Sequence, residues 1–107
     1  MTESDTTVST RDLAGAVSIA VTGPIDLASA PQVEAEIMAA VSNETAAVTL
    51  DLSAVDYLDS AGLRVVFRLT TRLAELRTGL EVVAPPGTIS RRVIELSGYR
   101  EVGTLRP

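Results

Sequence analysis

A chain of 107 residues, 46% hydrophobic and 21% charged, has the size and balance of one globular domain with its own core. Its net charge is −5, with nine arginines and no lysine, so it lacks the basic footprint of nucleic-acid or anionic-lipid binders. Cysteine and histidine are both absent, which removes disulfides, thiolate chemistry, Ser-His-Asp triads and the commonest metal ligand, so no enzyme activity or cofactor is expected. No apolar run approaches the roughly 18 residues of a membrane span, and the opening MTESDTTVST is polar. The expectation is a cytoplasmic protein without membrane insertion.

Residues 1–7 are small and polar and read as a flexible N-terminus, ahead of a domain over 8–107. Val8 to Leu13 reads as a short edge strand, turned at Ala14-Gly15. Ala16 to Thr22 is rich in β-branched residues and reads as a strand ended by Gly23-Pro24. Ser29 is placed to cap a helix, with Gln32 as its capping-box partner and Pro31 in the first turn. Val33, Ile37, Ala40 and Val41 repeat at helical spacing up to Asn43.

Ala46 to Leu52 is a mostly apolar run that predicts a central strand, followed by a loop around Asp56. A second helix is predicted from about Ser60 to Arg77, closed by Gly79. Leu80 to Ala84 predicts another strand, and Pro85-Pro86-Gly87 a turn. Thr88 caps a third helix with Ile89, Val93 and Leu96 inward and Gly98 as its stop; Glu101 to Leu105 reads as a last edge strand. Alternating strands and helices predict an α/β fold, with one mixed central sheet and helices packed on it.

On the second helix, Arg64, Arg68, Thr71, Arg72 and Glu75 gather on one side at 100° per residue. Leu63, Val66, Leu69, Leu73, Ala74 and Leu76 form the opposite, inward side, with Val65 and Phe67 at its margins. The arginine stripe is either a solvated face or, through Arg64 and Arg68, a dock for an acidic partner or a nucleotide phosphate.

The stretch YLDSAGLRV, residues 57–65, is the candidate site. Ser60 stands at a helix entrance beside Asp59, and Asp26 lies in another strand-to-helix loop, GPIDLAS. In an α/β sheet such loops gather at the carboxyl ends of the strands, where sites form. The serine either caps the helix or is acted on by another protein; the chain holds no base suited to activating it.

These residues resemble the STAS domains of anti-sigma factor antagonists. The resemblance rests on Gly23-Pro24-Ile25-Asp26, Leu50-Asp51-Leu52-Ser53, Leu58-Asp59-Ser60-Ala61-Gly62-Leu63, the Pro86-Gly87 turn and Ser97-Gly98-Tyr99. It spans about residues 10–105 and implies a single STAS domain. It further implies that Ser60 is phosphorylated by a cognate anti-sigma factor serine kinase. The unphosphorylated chain would bind that kinase and free its sigma factor, the phosphorylated chain would let go, and a phosphatase would reset it. Asp26, Asp59, Ser60, Ala61, Gly62, Leu63, Arg64 and Phe67 are the expected partner-binding residues. A monomer is expected, without direct nucleic-acid contact. Two departures stand out: the family's usual C-terminal helix has no counterpart before Pro107, and Ala61 replaces a residue often hydroxylated in relatives. The alternative is a STAS docking subunit of a phospholipid-transport ATPase complex, which carries the same Asp-Ser-Ala-Gly-Leu motif.

Overall fold

Ala14 and Gly15 both take positive φ, 55° and 92°, which is what a two-residue type I′ hairpin turn requires. They join β1 (Thr7–Leu13) to β2 (Ala16–Ile25) as an antiparallel pair in register from Leu13↔Ala16 to Thr7↔Thr22. From there the computed structural model, which describes residues 5–97 and the backbone of 104–106, alternates helix and strand. The elements are α1 (Ala30–Ala39), β3 (Ala47–Leu58), α2 (Ser60–Leu76), β4 (Gly79–Val83), α3 (Ile89–Leu96) and β5 (Thr104–Arg106). The five strands lie in sequence order, β2 to β5 parallel, so the sheet is mixed with β3 at its centre.

Crossovers of one hand that always advance in the same direction place successive helices on the same face of the sheet. Burial follows that rule. In β2, Val17, Ile19 and Val21 are buried while Ala16, Ser18 and Thr22 are exposed. Ile19, Leu50 and Val82 share one register row across β2, β3 and β4, and all three are shut from solvent. Val33 and Ile37 of α1, Val65, Val66, Leu69 and Leu73 of α2, and Ile94 of α3 close over that row. Each fully buried side chain of this kind contributes roughly 1.5–3 kcal/mol, which is why the alternation fixes the faces.

Several element ends differ from expectation, each for a local reason. Of the segment expected to be loose, residues 1–4 lie outside the described residues. Thr6 is buried with its hydroxyl donating to the Pro24 carbonyl, and Thr7 already opens β1. Strand β2 does not stop at Gly23-Pro24 but runs through it to Ile25. Pro24 lies beyond the last β1 pair and at a register shift against β3, where a missing N–H removes least. Asp56 lies in β3 rather than in a loop, because β3 continues to Leu58 alongside that extension of β2.

Helix α2 ends on Arg77, which takes the left-handed cap conformation (φ 55°, ψ 39°), and Thr78 N–H reaches back to Leu73 O at 2.9 Å. Gly79, expected as the stop, instead begins β4. Ala74, expected inward, is exposed, and Val65, expected at the margin, is buried. In α3 the expected inward set is rotated by one residue. Ser90 and Ile94 are buried, Val93 is half-buried, and Ile89 and Leu96 are exposed. The Thr88 hydroxyl, accepting from Arg91 N–H, sets the phase of this two-turn helix, and Ser90 is admitted to the interior because its hydroxyl donates to Leu52 O at 3.4 Å. Gly98 and Glu101 lie outside the described residues.

Candidate functional site

The ends of the parallel neighbours β2 and β3 meet at one edge of the sheet, where Asp59 N–H donates to Ile25 O at 3.4 Å. The β2–α1 turn and the start of α2 are therefore adjacent. In the turn, Asp26 Oδ1 accepts from Ala28 N–H (3.0 Å) and Ser29 N–H (2.9 Å). The buried Ser29 hydroxyl donates to Pro24 O at 2.9 Å and accepts from Asp26 N–H at 3.0 Å. Ser29 thus ties the turn to β2 and makes no side-chain cap to α1, while Gln32 donates to Glu36 one turn along the helix. The expected capping box is absent because Asp26 has taken the turn's amides. The Ser29 N–H, above all, holds the Asp26 carboxyl below its ordinary pKa, with partial desolvation opposing it.

At the start of α2 the cap is Asp59. Its backbone is extended (φ −110°), and Oδ1 accepts from Ala61 N–H at 2.9 Å and Gly62 N–H at 3.2 Å. The Asp59 carbonyl accepts from Leu63 N–H at 2.9 Å. Ser60 is the first helical residue, is exposed, and its hydroxyl has no hydrogen-bond partner among the described residues. Of the two roles open to it in the sequence, capping belongs to its neighbour. What remains is a hydroxyl on a regular helix, open to solvent. Among the described residues no group of acidic side chains is placed to hold a metal ion.

Two flanks border Ser60. On one, an open groove runs between α1 and α2, lined by Leu27, Pro31, Met38, Ala61, Arg64 and Val65 among others. Leu27 is 80% exposed, an apolar side chain in the turn beside the serine that is not among the partner-binding residues expected from the sequence. Its signal was a lone leucine between Asp26 and Ala28 in an otherwise small, polar turn. On the other flank Leu63 and Phe67 are half-buried against the core. Gly62 is buried, and a Cβ there would stand 2.4 Å from Leu58 Cδ1 and 2.7 Å from Ile25 O. Gly62 faces the sheet and offers no surface for a partner.

The arginine stripe divides. Arg68 Nη1 donates to both carboxylate oxygens of Glu34, at 2.9 and 3.1 Å, linking α2 to α1, and Arg72 lies 3.9 Å from Glu75. Arg64 is exposed and has no carboxylate partner among the described residues.

The STAS domain family matches residues 7–107. The chain is 38% identical over 80 residues to BtrV of Bordetella bronchiseptica, named as an anti-sigma factor antagonist, covering 75% of this chain and 68% of BtrV. It is 32% identical over 93 residues to the anti-sigma-F factor antagonist RsfB of Mycobacterium tuberculosis, covering 86% of this chain and 74% of RsfB. A crystal structure of an anti-sigma factor antagonist from Mycobacterium paratuberculosis superposes with a TM-score of 0.84 at 35% identity, over 96% of this chain and 86% of that one. With the strand-end edge, the two abutting turns and the exposed serine in place, the chain belongs to the STAS domain family of anti-sigma factor antagonists.

Proposed function

We propose that this chain works in the cytoplasm as a partner-switching regulator without catalysis of its own. Unphosphorylated, it binds an anti-sigma factor that is also a serine kinase, and so frees that kinase's sigma factor. The kinase ends the complex by modifying Ser60, and a phosphatase restores it. The observation that carries this reading is the exposed Ser60 hydroxyl, free of any capping duty because Asp59 performs it. In the transfer, Ser60 Oγ attacks the γ-phosphorus of ATP and the bond to the β–γ bridging oxygen breaks. ADP leaves, and the hydroxyl proton passes to a base on the kinase.

The magnitudes suit a switch. Phosphorylation adds about −1.5 to −2 charges. Against one negative group 5 Å away, at an effective dielectric near 20, each added charge costs roughly 3 kcal/mol before screening. Moving a two-state equilibrium from 1:99 to 99:1 takes about 5.5 kcal/mol. Charge combined with steric occlusion at the docking edge reaches that order. The docking surface in this reading comprises Asp26, Asp59, Ser60, Ala61, Arg64 and the flank formed by Leu63 and Phe67, with Leu27 added by its exposure.

Intact-mass measurement after incubation with the candidate kinase and ATP tests the proposal. One added phosphate, mapped by peptide sequencing to residue 60, is the expected result. A phosphate on Ser53, Thr70 or Ser97 instead would sink the assignment.

A further inference from the structure

A phosphate at the first residue of a helix is ordinarily held by the helix's free N–H groups. Here three of those groups are engaged: Ala61 and Gly62 N–H donate to Asp59 Oδ1, and Leu63 N–H to the Asp59 carbonyl. The Asp59 carboxylate also places a negative charge beside Ser60, and Asp26 stands one residue beyond the Ile25–Asp59 contact. The Ser60 N–H can donate but carries no net charge, so counter-charge for a phosphate must come from a side chain. Arg64 lies four residues after Ser60, the spacing at which helical side chains are neighbours, about 5–6 Å apart at Cβ. Of the three arginines in α2 it is the one without a carboxylate partner among the described residues, since Arg68 is held by Glu34 and Arg72 is near Glu75.

We infer that Arg64 is the internal counter-ion of the Ser60 phosphate. Its planar guanidinium offers two parallel N–H donors to phosphate oxygens. In the unmodified chain the same side chain lines the α1–α2 groove. Phosphorylation thus acts twice on the docking surface: it adds negative charge at Ser60 and draws a cation out of the groove. The inference rests on Ser60 being the modified residue, and it assigns to Arg64 a part in the switch that differs from simple contact with a partner.

The test uses the full chain with phosphoserine built in at position 60, so no kinase is needed. The second ionisation of the phosphate is followed by ³¹P NMR in four proteins: the parent, Arg64→Gln, Arg64→Lys and Arg72→Gln. A cation about 6 Å away at water-like dielectric lowers that pKa by roughly half a unit. The expected result is a higher pKa in Arg64→Gln by about that amount, a value near the parent in Arg64→Lys, and no change in Arg72→Gln, which loses the same charge two turns further on. Equal titration in the parent and Arg64→Gln overturns the inference, as does an equal shift in Arg72→Gln. Failure of the kinase reaction would count against the partner-switching reading alone, whereas a flat titration counts against Arg64 alone.

Discussion

Gly62 of α2 and Ile25 of β2 approach so closely that a methyl group on Gly62 would lie 2.7 Å from the Ile25 carbonyl oxygen. That oxygen belongs to the backbone and accepts from Asp59 N–H, so it has little freedom to withdraw. Leu58 Cδ1, at 2.4 Å, is a side-chain end and could turn away. Gly62→Ala is therefore expected to destabilise the fold by about 1–3 kcal/mol through overpacking. In a chain of this size that lowers Tm by roughly 4–8 °C per kcal/mol. Thermal unfolding of the variant checks it. An unchanged Tm with weakened partner binding would return Gly62 to the docking surface.

Arg77 holds a left-handed conformation that costs a residue with a Cβ about 1–2 kcal/mol. Glycine adopts it freely but is looser in the unfolded chain, which offsets part of the gain. Arg77→Gly is expected to raise stability by about half a kcal/mol, read as a higher urea midpoint at unchanged slope. A fall instead would mean that the exposed Arg77 side chain makes an interaction worth more than the strain.

The alternation of strands and helices, the single sheet and the Asp59-Ser60 helix entrance were legible because they rest on periodicity and on one local motif. The 17-residue α2 carries its buried face over more than four turns, so small phase errors average out. Two-turn α3 offers no such averaging, and Ser90, polar by type, hid on its inner face. The far half of β3 was illegible for a different reason. Against β2 it gains an extra residue between the pairs Ala20↔Asp51 and Thr22↔Ala54, and again between Gly23↔Val55 and Pro24↔Tyr57. Buried Leu52, Val55 and Leu58 are therefore spaced by three rather than two, and the strand's alternation is lost. At the site, the sequence indicated Asp59 and Ser60 but could not divide capping from exposure between them. Only the hydrogen bonds of Oδ1 do that.

The Asp26 carboxyl has a folded pKa below its unfolded one, chiefly because Ser29 N–H donates to the carboxylate. Its contribution to stability is therefore present above the unfolded aspartate value of about 3.9 and is lost as pH falls through the folded value. Asp26→Asn keeps an acceptor oxygen for the turn but does not titrate. Urea unfolding of both proteins between pH 2 and 7 should show the parent ahead at neutral pH and the gap narrowing below about pH 4. A gap that stays constant into acid would mean that the charge of Asp26 contributes nothing and that only its shape matters.

The switch itself divides into charge and shape. The Ser60 hydroxyl is exposed and makes no hydrogen bond among the described residues, so Ser60→Ala should preserve both fold and partner binding. Ser60→Glu carries about one negative charge rather than nearly two and lacks the bulk of a phosphate, so it should weaken binding short of full release. Asp26 stands at the neighbouring turn, joined to the start of α2 through the Ile25–Asp59 hydrogen bond. If crowding of negative charge ejects the partner, Asp26→Asn should restore part of the affinity in the Ser60→Glu background. Calorimetric binding of the candidate anti-sigma factor to the parent, both single variants and the double variant yields the coupling directly. That coupling should shrink as salt is raised, because the groups involved are partly exposed and screened. Zero coupling at low salt would make release steric, leaving Asp26 the architect of its turn and nothing more. Unchanged binding by Ser60→Glu would go further, and would favour a STAS domain that docks on an ATPase complex without a phosphorylation switch.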